Sequence, residues 1–99
     1  MKIEFRDRRL AFIQTDRAAE TGLPIAVIKS CREKLIVLAA APDERTLWNW
    51  RSLRYEKLKA EREGHRAIRL NDQWRLIFEL RKEVSGAQTI IVVSVEDYH

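Results

Sequence analysis

The spacing of apolar residues changes once along this chain of 99 residues, and that change limits how it can fold. In the first half, apolar residues recur every three or four positions, which predicts a helix with one buried face. These residues are Ile25, Ile28, Cys31, Leu35 and Leu38. From about Ser52 the period is two, as in strands with one buried face. The sequence therefore predicts an α+β fold, with helices packed on one face of a sheet.

Local signals place the elements of the first half. Alternating apolar and charged residues at positions 2–6 predict a first strand. Asp7 is expected to cap a short helix, and Pro24 is expected to open the long helix, which ends near Pro42. The segment 43–50 is ambiguous, although its first residue, an aspartate, can cap a further helical turn.

The second half predicts an antiparallel meander of three strands joined by short turns. The strands cover positions 66–70, 74–81 and 89–95. Trp74 alternates in phase with the core residues of its strand, whereas Arg75 should project from the sheet face opposite the helices. Arg69 would share that face, depending on strand register. One domain is expected to span residues 1–99.

Composition excludes several functional classes. A single cysteine rules out an intrachain disulfide, and the two histidines, His65 and His99, lack carboxylates at ligand spacing, so no metal site is expected. The three glycines form no phosphate-binding loop, and no cofactor is expected. Without a signal peptide or an apolar run of roughly 20 residues, the sequence predicts a cytoplasmic protein that does not enter the membrane.

The net charge of +4 is concentrated in one quarter of the chain. Residues 51–75 carry eight basic and four acidic side chains, and the remaining residues balance. The basic residues are Arg51, Arg54, Lys57, Lys59, Arg62, Arg66, Arg69 and Arg75. Such a cluster attracts phosphate backbones, although it is equally typical of a solvated surface.

The chain ends on Asp97-Tyr98-His99, directly after an apolar strand. Histidine titrates near neutrality and suits proton transfer, whereas the alternative interpretation is a frayed terminus. Beside a sheet face of arginines, these residues would form a phosphodiester site. RNA supplies its own nucleophile in the 2′-hydroxyl, so such a site needs no metal.

Two separated segments resemble a known toxin family. Positions 56–78 contain Leu58-Lys59-Ala60-Glu61-Arg62-Glu63-Gly64 and Asn71-Asp72-Gln73-Trp74-Arg75, and the chain closes with Glu96-Asp97-Tyr98-His99. These motifs and their spacing resemble the HigB branch of the RelE/ParE toxin superfamily. The family pattern is roughly Leu-Lys-Gly-Asp-Arg-x-Gly, then Asn-x-x-Trp-Arg and a terminal Asp-Tyr-His.

The resemblance implies a RelE/ParE-like fold and a toxin of a type II toxin–antitoxin system. Such a toxin cuts mRNA in the decoding site of the ribosome as a metal-independent endoribonuclease and inhibits translation. The resemblance also implies a helix-turn-helix antitoxin of the HigA type, through which the toxin would reach operator DNA.

Roles for individual residues also come from the resemblance. His99 would be the proton-transfer residue, with Asp97 and Tyr98 as partners in the site. Lys59 and Arg75 would stabilise charge on the phosphate during catalysis. Further contacts to RNA or phosphate are expected from five other residues of the basic segment, namely Arg54, Lys57, Arg62, Arg66 and Arg69.

The chain departs from the family pattern in the loop before the meander. Glu56 stands where the family often has a histidine. Either Glu56 or Tyr55 takes over the chemistry of that histidine, or no residue does. Ala60 and Glu61 replace the usual glycine and aspartate, and the loss of glycine bears on the loop backbone. Two alternative functions stay open: a ParE-like inhibitor of DNA gyrase, and an inactive toxin retained for operator regulation with its antitoxin.

Overall fold

Five strands form one mixed sheet in the structure, a computed structural model that describes residues 1–98. The strands are β1 (Lys2–Phe5), β2 (Glu56–Lys57), β3 (His65–Arg69), β4 (Trp74–Lys82) and β5 (Gln88–Asp97). They lie in the order β1-β5-β4-β3-β2. The predicted antiparallel meander of β3, β4 and β5 is confirmed, and β1 pairs in parallel with β5. Because β5 lies between two strands, its run of apolar residues is explained.

Two α-helices, α1 (Ile25–Ala40) and α2 (Glu44–Asn49), follow β1. The predicted stripe of α1 is buried, and it packs with Leu76 and Phe78 of β4 in one hydrophobic core. The ambiguous segment forms α2, and the Asp43 carboxylate accepts a hydrogen bond from the main-chain nitrogen of Arg45 at its start. Within residues 1–98, neither helix has the length and continuous apolar character needed to cross a bilayer.

Short 3-10 helices account for the differences from the predicted elements. The helix expected after Asp7 is a 3-10 helix (Arg8–Gln14), although Asp7 caps it as predicted. The α1 residue Arg32 holds this segment in place by donating to the carbonyls of Ile13 and Thr15, at 2.5 and 2.7 Å. The period of two predicted from Ser52 is wrong up to about residue 64. That stretch contains strand β2 and 3-10 helices at Arg51–Leu53 and Ala60–Arg62.

A β-bulge in β5 changes which residues face the helices. Ile77 pairs with Ser94, but the next residue of β4, Phe78, pairs with Val92, so Val93 is the extra residue. Before the bulge Val92 lies in the core, and after it Val95 packs against the same core. Ser94 and the residue two positions later, Glu96, therefore lie on the sheet face opposite the helices. Arg75 pairs with both Arg69 and Glu96, which confirms that the two arginines share this face.

The loop between β2 and β3 contains a residue in the left-handed backbone conformation. Ala60 has φ of 57°, at the position where the family pattern has glycine. The loop thus keeps a conformation that costs a residue with a Cβ roughly 1–2 kcal/mol.

We expect Ala60→Gly to stabilise the protein, by up to about 1 kcal/mol, because relief of this strain outweighs the added freedom of the unfolded chain. Urea denaturation monitored by circular dichroism measures the change. Ala26→Gly, an exposed site in the helical backbone of α1, is the matched control and should be destabilising. Equal destabilisation by both substitutions would contradict the strain at Ala60.

Candidate active site

The sheet face opposite the helices brings together residues from three parts of the sequence. Arg75 lies on β4, Glu96 lies directly opposite on β5, and Tyr98 follows the end of β5. Arg62, from the loop between β2 and β3, reaches the same place by binding Glu96. These four residues are called the sheet-face cluster below.

Main-chain hydrogen bonds fix the position of Tyr98 and Arg75. The Tyr98 main-chain nitrogen donates to the Gln73 carbonyl at 2.6 Å, which ties the end of the chain to the turn before β4. Arg75 Nη1 donates to the carbonyls of Asn71 and Trp74, at 2.7 and 3.0 Å. The Arg75 guanidinium carbon lies 5.3 Å from the centroid of the Tyr98 ring, a cation–π contact. No carboxylate among the described residues pairs with Arg75, so its positive charge is available to an anion.

In contrast, Arg62 is already neutralised by a carboxylate. Its two terminal nitrogens bind both oxygens of Glu96, with Nη1 2.8 Å from Oε1. The Ser94 hydroxyl donates to the same carboxylate. The bond from Arg62 holds the pKa of Glu96 below its ordinary value. A phosphate that binds Arg62 through these nitrogens must therefore displace Glu96.

The two residues considered as substitutes for the loop histidine face opposite sides of the sheet. Tyr55 is buried on the helix side, where its hydroxyl donates to Glu44 at 2.7 Å and its ring stacks on Phe78. Burial raises the pKa of Tyr55 well above its ordinary value. Glu56 is exposed on β2. Glu56 pairs with Ala67 of β3, which shares the sheet face of Arg69 and Arg75, so Glu56 lies on the same face as the cluster. Burial raises the pKa of Tyr98, and the negative charge of Glu56 adds to that rise.

The remaining candidate residues are divided between the two faces. Lys59 is exposed in the loop beside Arg62, and Arg69 pairs with Asp72 at the end of β3. Asp97 lies opposite Trp74 and accepts a hydrogen bond from Gln73 Nε2 at 2.8 Å, so it points away from the cluster.

On the helix side, Arg66 Nε lies 3.5 Å and Lys57 Nζ 4.0 Å from Glu44. Arg54 is exposed just before β2, with a left-handed φ of 49°. His99 lies outside the described residues. Among residues 1–98, no three His, Cys, Asp or Glu side chains form a metal-binding group.

A further titratable residue, His65, lies on the same sheet face as the cluster but was not among the predicted site residues. Its Nε2 is 3.0 Å from Glu79 Oε2, and Glu79 is also bound by both terminal nitrogens of Arg6. The bond from Arg6 is the main reason that the pKa of Glu79 is lowered. The sequence did contain a signal for His65, because His65 and Arg69 are four positions apart on β3 and therefore face the same side of the sheet. Arg75 of the neighbouring strand β4 faces that side too.

Comparison with known proteins decides the family. The family model described as "RelE-like toxin of type II toxin-antitoxin system HigB" matches residues 3–99. This chain belongs to the HigB-like toxin family. It is 33% identical over 79 residues to Toxin HigB-1 of Vibrio cholerae serotype O1 (strain ATCC 39315 / El Tor Inaba N16961), covering 80% of this chain and 83% of that protein. The resemblance to a HigB-type toxin of a type II toxin–antitoxin system is thus confirmed.

Solved structures of related toxins share the fold of this HigB-like toxin. The YoeB/ParE toxin from Agrobacterium tumefaciens superposes with a TM-score of 0.61 at 17% identity, covering all of both chains. YafQ from E. coli strain BL21(DE3) gives 0.57 at 16% identity, covering 97% of this chain and 91% of that chain. The YoeB–YefM complex from Staphylococcus aureus gives 0.52 at 20% identity, covering 100% and 97%. These likenesses confirm the predicted RelE/ParE-like fold.

We expect the bond between Arg62 and Glu96 to make stability depend on pH. A carboxyl with a lowered folded-state pKa contributes stability above its unfolded pKa, near 4.5, and loses it as the pH falls through the folded value. Glu96→Gln should therefore be less stable than the wild type at pH 7, and the difference should shrink below about pH 4. Urea denaturation at pH 7 and pH 3.5 measures this.

Glu33→Gln is the control for this experiment, because Glu33 is exposed on α1 and forms no ion pair with a described residue. Its difference from the wild type should stay small at both pH values. A destabilisation by Glu96→Gln that is equally large at pH 3.5 would show that the charge of Glu96 is not its cause.

Proposed function

We propose that this toxin is a ribosome-dependent endoribonuclease that cuts mRNA without a metal ion. The observation that carries the proposal is the position of Arg75, a cation held by main-chain carbonyls beside Tyr98 and without a carboxylate partner among residues 1–98. An oriented cation of this kind stabilises the charge that develops on a phosphate during cleavage. Membership of the HigB-like toxin family supports the same activity.

The chemistry requires a base, an acid and groups that stabilise the phosphate. We infer that Glu56 removes the proton from the RNA 2′-hydroxyl, whose oxygen forms a bond to phosphorus. The bond between phosphorus and the 5′-oxygen then breaks, and His99 gives that oxygen a proton. Arg75 and Lys59 stabilise the charge on the phosphate oxygens. Arg62 joins them when Glu96 is displaced.

The partners of the toxin follow from its family. We infer that it acts in the cytoplasm, on mRNA bound to the ribosome. A helix-turn-helix antitoxin of the HigA type neutralises it and links it to operator DNA. The related YoeB from Staphylococcus aureus forms a complex named YoeB–YefM, which supports the formation of a protein complex by this fold.

We expect His99→Ala to lower the rate of mRNA cleavage on programmed ribosomes by about 100-fold or more, since general acid catalysis contributes factors of that size. Primer extension on the cleaved mRNA measures the rate. Circular dichroism and antitoxin binding should stay unchanged, which separates loss of chemistry from loss of fold. Cleavage by His99→Ala at the wild-type rate would exclude this role, and double-strand DNA breaks with intact mRNA would instead indicate gyrase inhibition.

The assignment of the base is tested by comparing neighbouring residues on opposite faces. Glu56→Gln removes the carboxylate on the sheet face of the cluster and should lower kcat by about 100-fold or more. Tyr55→Phe is the matched control, because the Tyr55 hydroxyl binds Glu44 on the other side of the sheet. It should change kcat by less than twofold. A full rate in Glu56→Gln would rule out Glu56 as the base.

A further inference from the structure

Two tryptophans at the C-terminal end of α2 are exposed to solvent. Trp48 lies in α2 and Trp50 directly follows that helix, and their relative exposures are 50% and 46%. The Trp48 ring packs edge-on against Tyr55, with ring centroids 4.6 Å apart. Since Tyr55 is buried, Trp48 is held on a rigid support while half of it meets solvent. We call Trp48, Trp50 and the adjoining Arg51 the tryptophan ledge.

A shallow, open depression adjoins Trp50 and Arg51. Its lining combines the Trp50 ring with the side chains of Thr46, Asn49 and Arg51. The hydroxyl, amide and guanidinium groups provide hydrogen-bond donors and acceptors next to a flat aromatic surface.

The surroundings of the ledge carry positive charge that no acid neutralises. Arg45, Arg51 and Arg54 are exposed, and none forms an ion pair with any residue from 1 to 98. The only acidic residue in the stretch 44–54 is Glu44. Its carboxylate accepts the Tyr55 hydroxyl and lies near Arg66, so it is engaged on the inner side of α2.

Aromatic surfaces and free cations together fit one class of partner. Unpaired nucleotides stack on exposed aromatic rings while their phosphates bind arginine and lysine. An acidic peptide would satisfy the arginines without using the indole rings, and an apolar helix would leave the arginines without partners. Charge complementarity and stacking therefore both favour single-stranded RNA.

We propose that the tryptophan ledge is a second RNA-binding surface, distinct from the sheet-face cluster, which takes unpaired nucleotides by stacking. The proposal rests on the proposed function in one respect, namely that RNA is the toxin's partner. It also accounts for the location of Lys57 and Arg66, two basic residues that the fold places on the helix side of the sheet.

The test uses binding of a fluorescein-labelled 12-nucleotide poly(A) RNA, followed by anisotropy, to the full chain carrying His99→Ala so that cleavage does not interfere. Trp50→Leu should weaken binding by about fivefold or more, as expected for loss of one base–aromatic stack. Trp50→Phe should retain most of the affinity because it keeps an aromatic face. Ile36→Ala is the matched control, since Ile36 is an exposed apolar residue on a different helix, α1. It should bind as tightly as the parent.

Tryptophan fluorescence reports on the ledge directly, because the chain has only one other tryptophan, Trp74. RNA should quench the emission of the parent, and the double variant Trp48→Leu/Trp50→Leu should lose that quenching. Arg51→Ala/Arg54→Ala, which leaves both rings in place, should reduce the salt dependence of binding. Circular dichroism identifies any variant that fails to fold.

Unchanged RNA affinity in Trp50→Leu and in the arginine pair would overturn the proposal. Weaker antitoxin binding in Trp50→Leu, with RNA affinity unchanged, would also overturn it and show that the ledge docks a protein. A failure of the proposed function is a separate result, because it appears as absence of mRNA cleavage by the unsubstituted toxin on ribosomes.

Discussion

The bulge at Val93 is the constraint on which the arrangement of the candidate site depends. In a strand without the bulge, every second side chain would point to the same face. Ser94 and Glu96 would then share the face of Ile90 and Val92, which are fully buried in the core. The extra residue reverses the alternation, so that even-numbered residues after it point away from the core. It keeps the apolar residues inside along the first half of β5 and brings Glu96 to the opposite face, where it meets Arg62. The first half of β5 therefore packs in the core and the second half contributes Glu96 to the site, because the bulge lies between the two halves.

The parts of the fold that the sequence could predict are those with a long, one-sided pattern. The alternation around Trp74 and Leu76 predicts both the strand β4 and the face of Arg75. The apolar stripe of α1 predicts its buried side in the same way. Strand β5 is different: its apolar residues occupy both faces, so no pattern marks the bulge or the face of Glu96.

Short elements escaped prediction for a related physical reason. A 3-10 helix of three residues and a strand of two are too short to show a period. The two-residue strand β2 nevertheless decides whether Tyr55 or Glu56 faces the cluster, because successive side chains in a strand point to opposite faces. The basic residues are close in sequence and therefore suggested one basic patch, but the sheet places them on two opposite faces. Asp97 is separated from Tyr98 by the same alternation.

The two cations of the cluster differ in what holds them, and this difference bears on how the site would work. Carbonyl oxygens position Arg75 without cancelling its charge, so its interaction with a phosphate requires no other ion pair to break. Arg62 must exchange a bidentate carboxylate for phosphate, and the net gain of that exchange is correspondingly smaller. Contacts at the tryptophan ledge would be made equally to bound RNA and to the transition state, because they lie on the far side of the sheet. Such uniform binding lowers KM and leaves kcat unchanged, whereas Arg75, beside the reacting phosphate, would act on kcat.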